Sequence, residues 1–262
     1  AIACLACIGR CIAGRKGKRE EYSCSRIKKP ILVTNSAINR EVIRKIAFAL
    51  GEMNEKAVFV GGVTIGLYIN DPAADDVRPT KDVDISLAIT SYGDLESIRE
   101  ELIRKGFVQS PEDDVLCRFR YKDIKVDVMS TKAVGWAPTN PWFSPGFNQR
   151  NTIYVNDQKI QILPLPYYIA SKFSASSDRG AKDPRTSHDF EDIIYVLDNR
   201  TDIVEQLTKA PADVRPYLKE QLQIILDDSI LNEAILGNLS FDNREERYQR
   251  IKECLHQIVD RT

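Results

Sequence analysis

The chain has 262 residues, 43% of them hydrophobic and 29% charged, with 37 Lys and Arg against 38 Asp and Glu. That length buries a sizeable core in one large domain or two modest ones. The near-zero net charge excludes a globally basic nucleic-acid binder, so any such site has to be a local patch. No apolar run approaches the roughly 20 residues of a membrane span, and no membrane partner is expected.

The first 34 residues hold Cys4, Cys7, Cys11 and Cys24. Cys4 and Cys7 have the spacing that opens a zinc or iron–sulfur site. No second pair follows, and the two histidines, His188 and His256, are distant. The segment therefore reads as a poorly ordered leader. Its apolar start lacks a preceding basic region and runs into Arg10, unlike a signal peptide. Arg15, Lys16, Lys18 and Arg19 read as a solvated basic tail. Cys117 and Cys254 look like ordinary buried thiols. Nothing requires an oxidising compartment, so the cytoplasm is expected.

Folded structure is expected from residue 35. Ser36 or Asn39 can cap a helix over 41–53, whose Val42, Ile43, Ile46, Ala47 and Leu50 recur at helical spacing and face a sheet. The apolar run at 57–60 predicts a buried strand. Gly61 and Gly62 follow, then one or two helical turns over 63–69. A polar loop with two prolines leads to a second strand over 81–89. Side chains two apart on a strand share a face, so Asp82 and Asp84 point one way while Val83 and Ile85 are buried on the other. Paired carboxylates repel unless they share a cation, and oxygen-only ligation suits Mg²⁺, which takes further ligands from substrate phosphates. The diglycine lets a phosphate approach the backbone, with N–H groups at a helix start to receive it. A helix over 92–105 comes next, with Leu95, Ile98, Leu102 and Ile103 inward and Gly106 closing it. Short strands over 107–109, 115–121 and 124–129 follow, the last two joined by a tight turn at Lys122 and Asp123.

Gly-Gly, a helical turn and Asp-x-Asp on the next strand resemble the nucleotidyltransferase superfamily that includes DNA polymerase β. The resemblance implies an α+β fold, a mixed β-sheet with flanking helices followed by an all-helical C-terminal domain. Asp127, on a cleanly alternating strand, sits where that family has its last metal ligand. Asp82, Asp84 and Asp127 are then the metal ligands of a two-metal Mg²⁺ site.

Residues 131–150 form a long loop rich in Pro, Gly and aromatics, including Trp136, Trp142, Phe143 and Phe147, and long irregular segments are often functional. Its aromatics either stack on a base or anchor the loop. A hairpin over 152–162 follows. Pro164 and Pro166 divide a catalytic domain at 35–163 from a helical domain at 164–262. At its start, Ile169, Phe173 and Tyr168 form an apolar face. Lys172, Arg179, Lys182 and Arg185 supply four cations, enough to neutralise a triphosphate, with Lys172 on a rigid helix. His188 begins another helix with an acidic first turn, Asp189, Glu191 and Asp192. There a neutral, hydrogen-bonding imidazole is expected, used for capping or packing ahead of proton shuttling. Helices over 202–208, 211–228, 229–236 and 243–259 complete a bundle.

The order Lys172-Phe173-x-Ala175-x-x-x-Arg179, then a basic residue and Asp189-x-x-Asp192-Ile193, resembles the AbiEii nucleotidyltransferase toxins of toxin–antitoxin systems, over residues 58–197. The resemblance implies transfer of NMP from an NTP to a hydroxyl acceptor, tRNA or another macromolecule, with an antitoxin protein as partner. It implies Mg²⁺ on Asp82 and Asp84, phosphate binding by Lys172 and a catalytic or substrate-orienting role for Asp189, alongside the phosphate contacts already read at Gly61, Gly62, Arg179 and Lys182. Two residues depart from the pattern. His188 stands where Lys is common, and Gly62 replaces the commoner Ser. A small-molecule nucleotidyltransferase of the aminoglycoside-modifying kind is the alternative enzyme. A catalytically silent nucleotide- or partner-binding module is the alternative outside enzymes.

Overall fold

Thr34 opens the first helix of the computed structural model, which describes residues 34–80, 82–178 and 183–261. Its hydroxyl accepts from the Ala37 N–H at 3.2 Å, and helix α1 spans Asn35–Leu50. The helix thus begins earlier than periodicity suggests, because Thr34 takes the cap in place of Ser36 or Asn39. Asn39 is buried within it, beside Ile43, Ile46, Ala47 and Leu50. It also ends earlier, at Gly51, whose φ of 54° breaks the α-helix into a 3-10 turn over Gly51–Lys56.

Strand β1 (Ala57–Val60) is buried at all four residues, as its unbroken apolar run requires. It lies mid-sheet, antiparallel to β2 (Asp82–Leu87) and parallel to β6 (Gln158–Ile162). Helix α2 (Tyr92–Arg104) is capped by Ser91 and buries Leu95 and Leu102, while Ile103 faces solvent. Gly106, at φ 87°, closes it. The hairpin of β3 (Arg118–Tyr121) and β4 (Ile124–Ser130) turns on Lys122, at φ 57°. A second hairpin joins β5 (Asn151–Val155) to β6 through Asn156. The six strands run in the order β3-β4-β2-β1-β6-β5, a mixed sheet.

Within 131–150 a short helix α3 (Phe143–Asn148) forms, and the loop's aromatics serve as anchors. Trp136 packs on Phe119 at 6.0 Å between centroids, and Trp142 on Tyr217 at 4.8 Å. From Leu165 onward every element among the described residues is helical, chiefly α4 (Leu165–Asp178), α5 (His188–Asn199), α6 (Ile203–Thr208), α7 (Arg215–Asp227), α8 (Ser229–Gly237) and α9 (Arg244–Arg261). Helix α4 buries nine consecutive residues, 165–173, so its first two turns are enclosed on all sides. Helix α7 starts at Arg215, behind a turn that begins at Pro211. Asp198 of α5 is buried and accepts from Arg247 and Arg250, which pins α9 to α5. The described residues form one compact unit. No helix among the described residues is long and apolar enough to cross a membrane.

The expected architecture, a mixed sheet with flanking helices followed by an all-helical remainder, is the one observed. Ile85 is fully buried in β2, between Phe59 and Val128 on the neighbouring strands. Ile85→Ala is expected to lower unfolding free energy by about 2–5 kcal/mol. In a urea titration the midpoint should fall with the slope unchanged, and a change under 1 kcal/mol would contradict the packing described.

Candidate active site

At the end of β1 the chain enters a cavity of about 470 Å³ whose walls come from the sheet and from α4 and α5. Gly61 has φ 71° and ψ −168°, a backbone region open almost only to glycine. A Cβ there would stand 1.9 Å from Asp84 Oδ2, and one on Gly62 would stand 2.5 Å from Arg78 Nη2. The diglycine is therefore what lets a carboxylate and a guanidinium close against the backbone. A 3-10 helix, Gly62–Leu67, follows, held at its start by the Thr64 hydroxyl donating to the Gly61 carbonyl at 2.9 Å.

The strands bring the predicted carboxylates to the same cavity. Asp82 and Asp84 are half-buried on one face of β2, with Val83 and Ile85 buried opposite. In the sheet register Val60 pairs with Asp84, and Asp84 with Asp127 on β4. Asp127, however, is engaged by a residue that periodicity did not single out. Arg118, its cross-strand partner on β3, donates from Nε to Oδ1 and from Nη2 to Oδ2, each at 2.7 Å. The same guanidinium lies 3.6 Å from Asp82 Oδ2. Its hydrogen bonds to Asp127, opposed in part by burial, hold the Arg118 pKa above the usual arginine range. Asp82, Asp84 and Asp127 thus line one cavity without forming a cluster of three: among the described residues, no group of three or more His, Cys, Asp or Glu is disposed to hold a metal ion. The pair Asp82 and Asp84 still offers the oxygen donors that a hard cation prefers, on one face of a rigid strand. The space a side chain on Gly61 would fill is given to the Asp84 carboxylate.

Across the cavity, Lys172 of α4 is buried, with Nζ 2.6 Å from Asp192 Oδ2 and 3.1 Å from Asp189 Oδ1. Burial alone would lower its pKa, but Asp192 and Asp189 outweigh that and raise it. Asp192 is fully enclosed and also takes two hydrogen bonds from Arg78, at 3.0 and 3.3 Å. Asp189 lines the cavity from the first turn of α5. Ser187 caps that helix, so His188 is left largely exposed and paired with Glu191 at 3.0 Å. The capping expected of His188 falls to its neighbour, whose short hydroxyl reaches the Phe190 N–H.

The structure therefore brings together Gly61, Gly62, Asp82, Asp84, Asp127, Lys172 and Asp189. Arg185 points elsewhere, to Asp183 and Glu233. Arg179, Lys182 and the cysteines at 4, 7, 11 and 24 lie outside the described residues. Sequence reading missed Arg118, Arg78 and the enclosure of Asp192. Arg118 was within reach: counting back from the turn at Lys122 and Asp123 sets it opposite Asp127. Arg78 and Asp192 are 114 residues apart, and no local pattern joins them.

The family model described as the nucleotidyl transferase AbiEii toxin, type IV toxin–antitoxin system, matches residues 46–260. Among solved structures, an antigenic nucleotidyltransferase-like protein from Paracoccidioides brasiliensis is similar, with a TM-score of 0.45 and 17% identity over 76% of this chain and 92% of that one. The antibiotic-resistance factor ANT(2'')-Ia gives a TM-score of 0.44 and 17% identity over 73% of this chain and 97% of that one. JHP933 from Helicobacter pylori gives 0.38 and 13%, over 86% and 92%. At such scores none of the three says what this chain acts on. No match was found among curated proteins.

Two substitutions test the geometry. Gly61→Ala forces a side chain into a backbone conformation that costs about 1–3 kcal/mol and into the Asp84 carboxylate; its melting temperature should fall, and an unchanged one would refute the close approach. Asp192→Ala strips the shared partner from two cations and should cost about 3–5 kcal/mol in chemical denaturation. A loss under 1 kcal/mol would mean that Lys172 and Arg78 find other partners.

Proposed function

The chain belongs to the AbiEii family of nucleotidyltransferase toxins, and we propose that it transfers NMP from an NTP to a hydroxyl acceptor with release of pyrophosphate. The acceptor oxygen bonds to the α-phosphorus as the bond to the pyrophosphate oxygen breaks, and the hydroxyl proton is given up to water. The observation that carries this proposal is the convergence of Gly61, Gly62, Asp82, Asp84, Lys172 and Asp189 on one cavity.

Asp82 and Asp84 are the residues that would hold Mg²⁺. Bound there, the ion would supply charge neutralisation for the nucleotide phosphates and favour ionisation of the acceptor hydroxyl. The chain's own groups do the positioning. Gly61 and Gly62 keep that wall of the cavity free of side chains, so a phosphate can lie against backbone. An ammonium has three N–H donors, and Lys172 commits two of them to Asp189 and Asp192. The third is assigned to a phosphate oxygen. Asp189 orients the acceptor hydroxyl from the opposite wall. Arg179 and Lys182, between the lining residues Asp178 and His188 in sequence, are proposed as further phosphate contacts. Catalysis of this kind depends on placement and charge complementarity more than on any nucleophile of the protein.

A macromolecular acceptor such as tRNA, and an antitoxin as partner, go with the family. The lining favours a second reading as well. Among the described residues, five carboxylates (Asp82, Asp84, Asp127, Asp178 and Asp189) face three cations (Arg78, Arg118 and Lys172). The described part of the lining carries no basic excess of the kind an RNA backbone calls for, which suits a small cationic acceptor.

Transfer of α-³²P label from each of the four NTPs, with Mg²⁺, to cellular RNA, protein and an aminoglycoside panel tests the proposal. Label is expected in one acceptor class, with Asp82→Ala/Asp84→Ala reduced about a hundredfold or more. Absence of transfer from all four NTPs to every acceptor would sink it.

A further inference from the structure

Resting on the reading that Asp82 and Asp84 hold a divalent cation, we infer that the Arg118 guanidinium occupies the place of a second one, so that the site takes a single metal ion. Arg118 gives Asp127 two parallel hydrogen bonds of 2.7 Å, the fork geometry that suits a carboxylate. Its Nη2 also stands 3.6 Å from Asp82 Oδ2. A permanent positive charge thus lies between the two carboxylates that a second cation would have to share. Another cation approaching Asp127 meets a like charge at contact distance.

The arrangement is fixed by backbone. Arg118 and Asp127 are directly opposed in the β3–β4 hairpin. Both side chains are mostly covered, at 19% and 14% exposure, so parting them leaves a poorly hydrated carboxylate without its partner. Arg118 nevertheless lines the cavity. The positive charge a second metal would bring to the transferring phosphate is therefore present without one, on a residue that cannot dissociate.

The test is a count. Native mass spectrometry of the full chain with Mn²⁺ and a non-hydrolysable NTP analogue reads the number of Mn²⁺ ions per ternary complex. One ion is expected for the wild type, for Asp127→Asn and for Arg118→Lys, which retains the charge; two are expected for Arg118→Gln. Two ions in the wild type, falling to one in Asp127→Asn, would overturn the inference while leaving the transferase reading intact. One ion in a folded Arg118→Gln, checked by its melting curve, would show that the guanidinium is not what excludes the second. A wild type that binds none would remove the cation reading itself.

Discussion

Carboxylates gathered on one wall repel each other, and the cations that answer them decide how the rest of the molecule meets that wall. Asp192 shows it most fully. It is enclosed, and a lone buried charge is among the costliest groups a fold can carry. Two cations resolve this, Lys172 from α4 and Arg78 from the loop before β2. That one side chain ties the loop before β2 to α4 and α5. Asp198 repeats the device further along α5, tying down Arg247 and Arg250 of α9. Buried pairs of this kind are weak evidence of net stability, yet removing either partner is costly. Their effect is on register: they fix which face of α5 meets which loop.

The same constraint explains the glycines. Asp84 can stand beside Asp127 in register only if its side chain has somewhere to go, and the missing Cβ of Gly61 provides that space. The arrangement of charge on this wall is thus set by β-sheet register and by one backbone conformation, both determined before any ligand arrives.

Much of this was legible in the chain. Alternation on β2 set Asp82 and Asp84 on one face, and the same rule set Asp127 on β4, because side-chain period two needs no tertiary knowledge. Lys172 stood out as a cation on a rigid helix, whereas the role of Asp189 came only by resemblance, since on helices an ionic residue reads equally well as a solvated one. What stayed hidden depended on distance. Arg78 looked like an ordinary loop residue because its partner lies on a helix far along the chain. The early start of α1 was obscured by weak apolar periodicity in its first turn, where Thr34, a single hydroxyl, settles the boundary. Arg118 was readable from its hairpin but drew no attention, since an arginine on an edge strand is commonplace.

All the described strands end before Pro164, yet the site does not respect that border. Arg78 belongs to the segment before it, Asp192 and Lys172 to the segment after, and each is incomplete alone. Inheritance is constrained accordingly. A recombination event joining the sheet of one relative to the helices of another would have to deliver matching charges at three positions at once. Stepwise drift at any of them passes through an intermediate with an uncompensated ion in its interior. The two segments are therefore expected to travel as one hereditary unit, diverging freely on their outer faces while this internal triad changes only together.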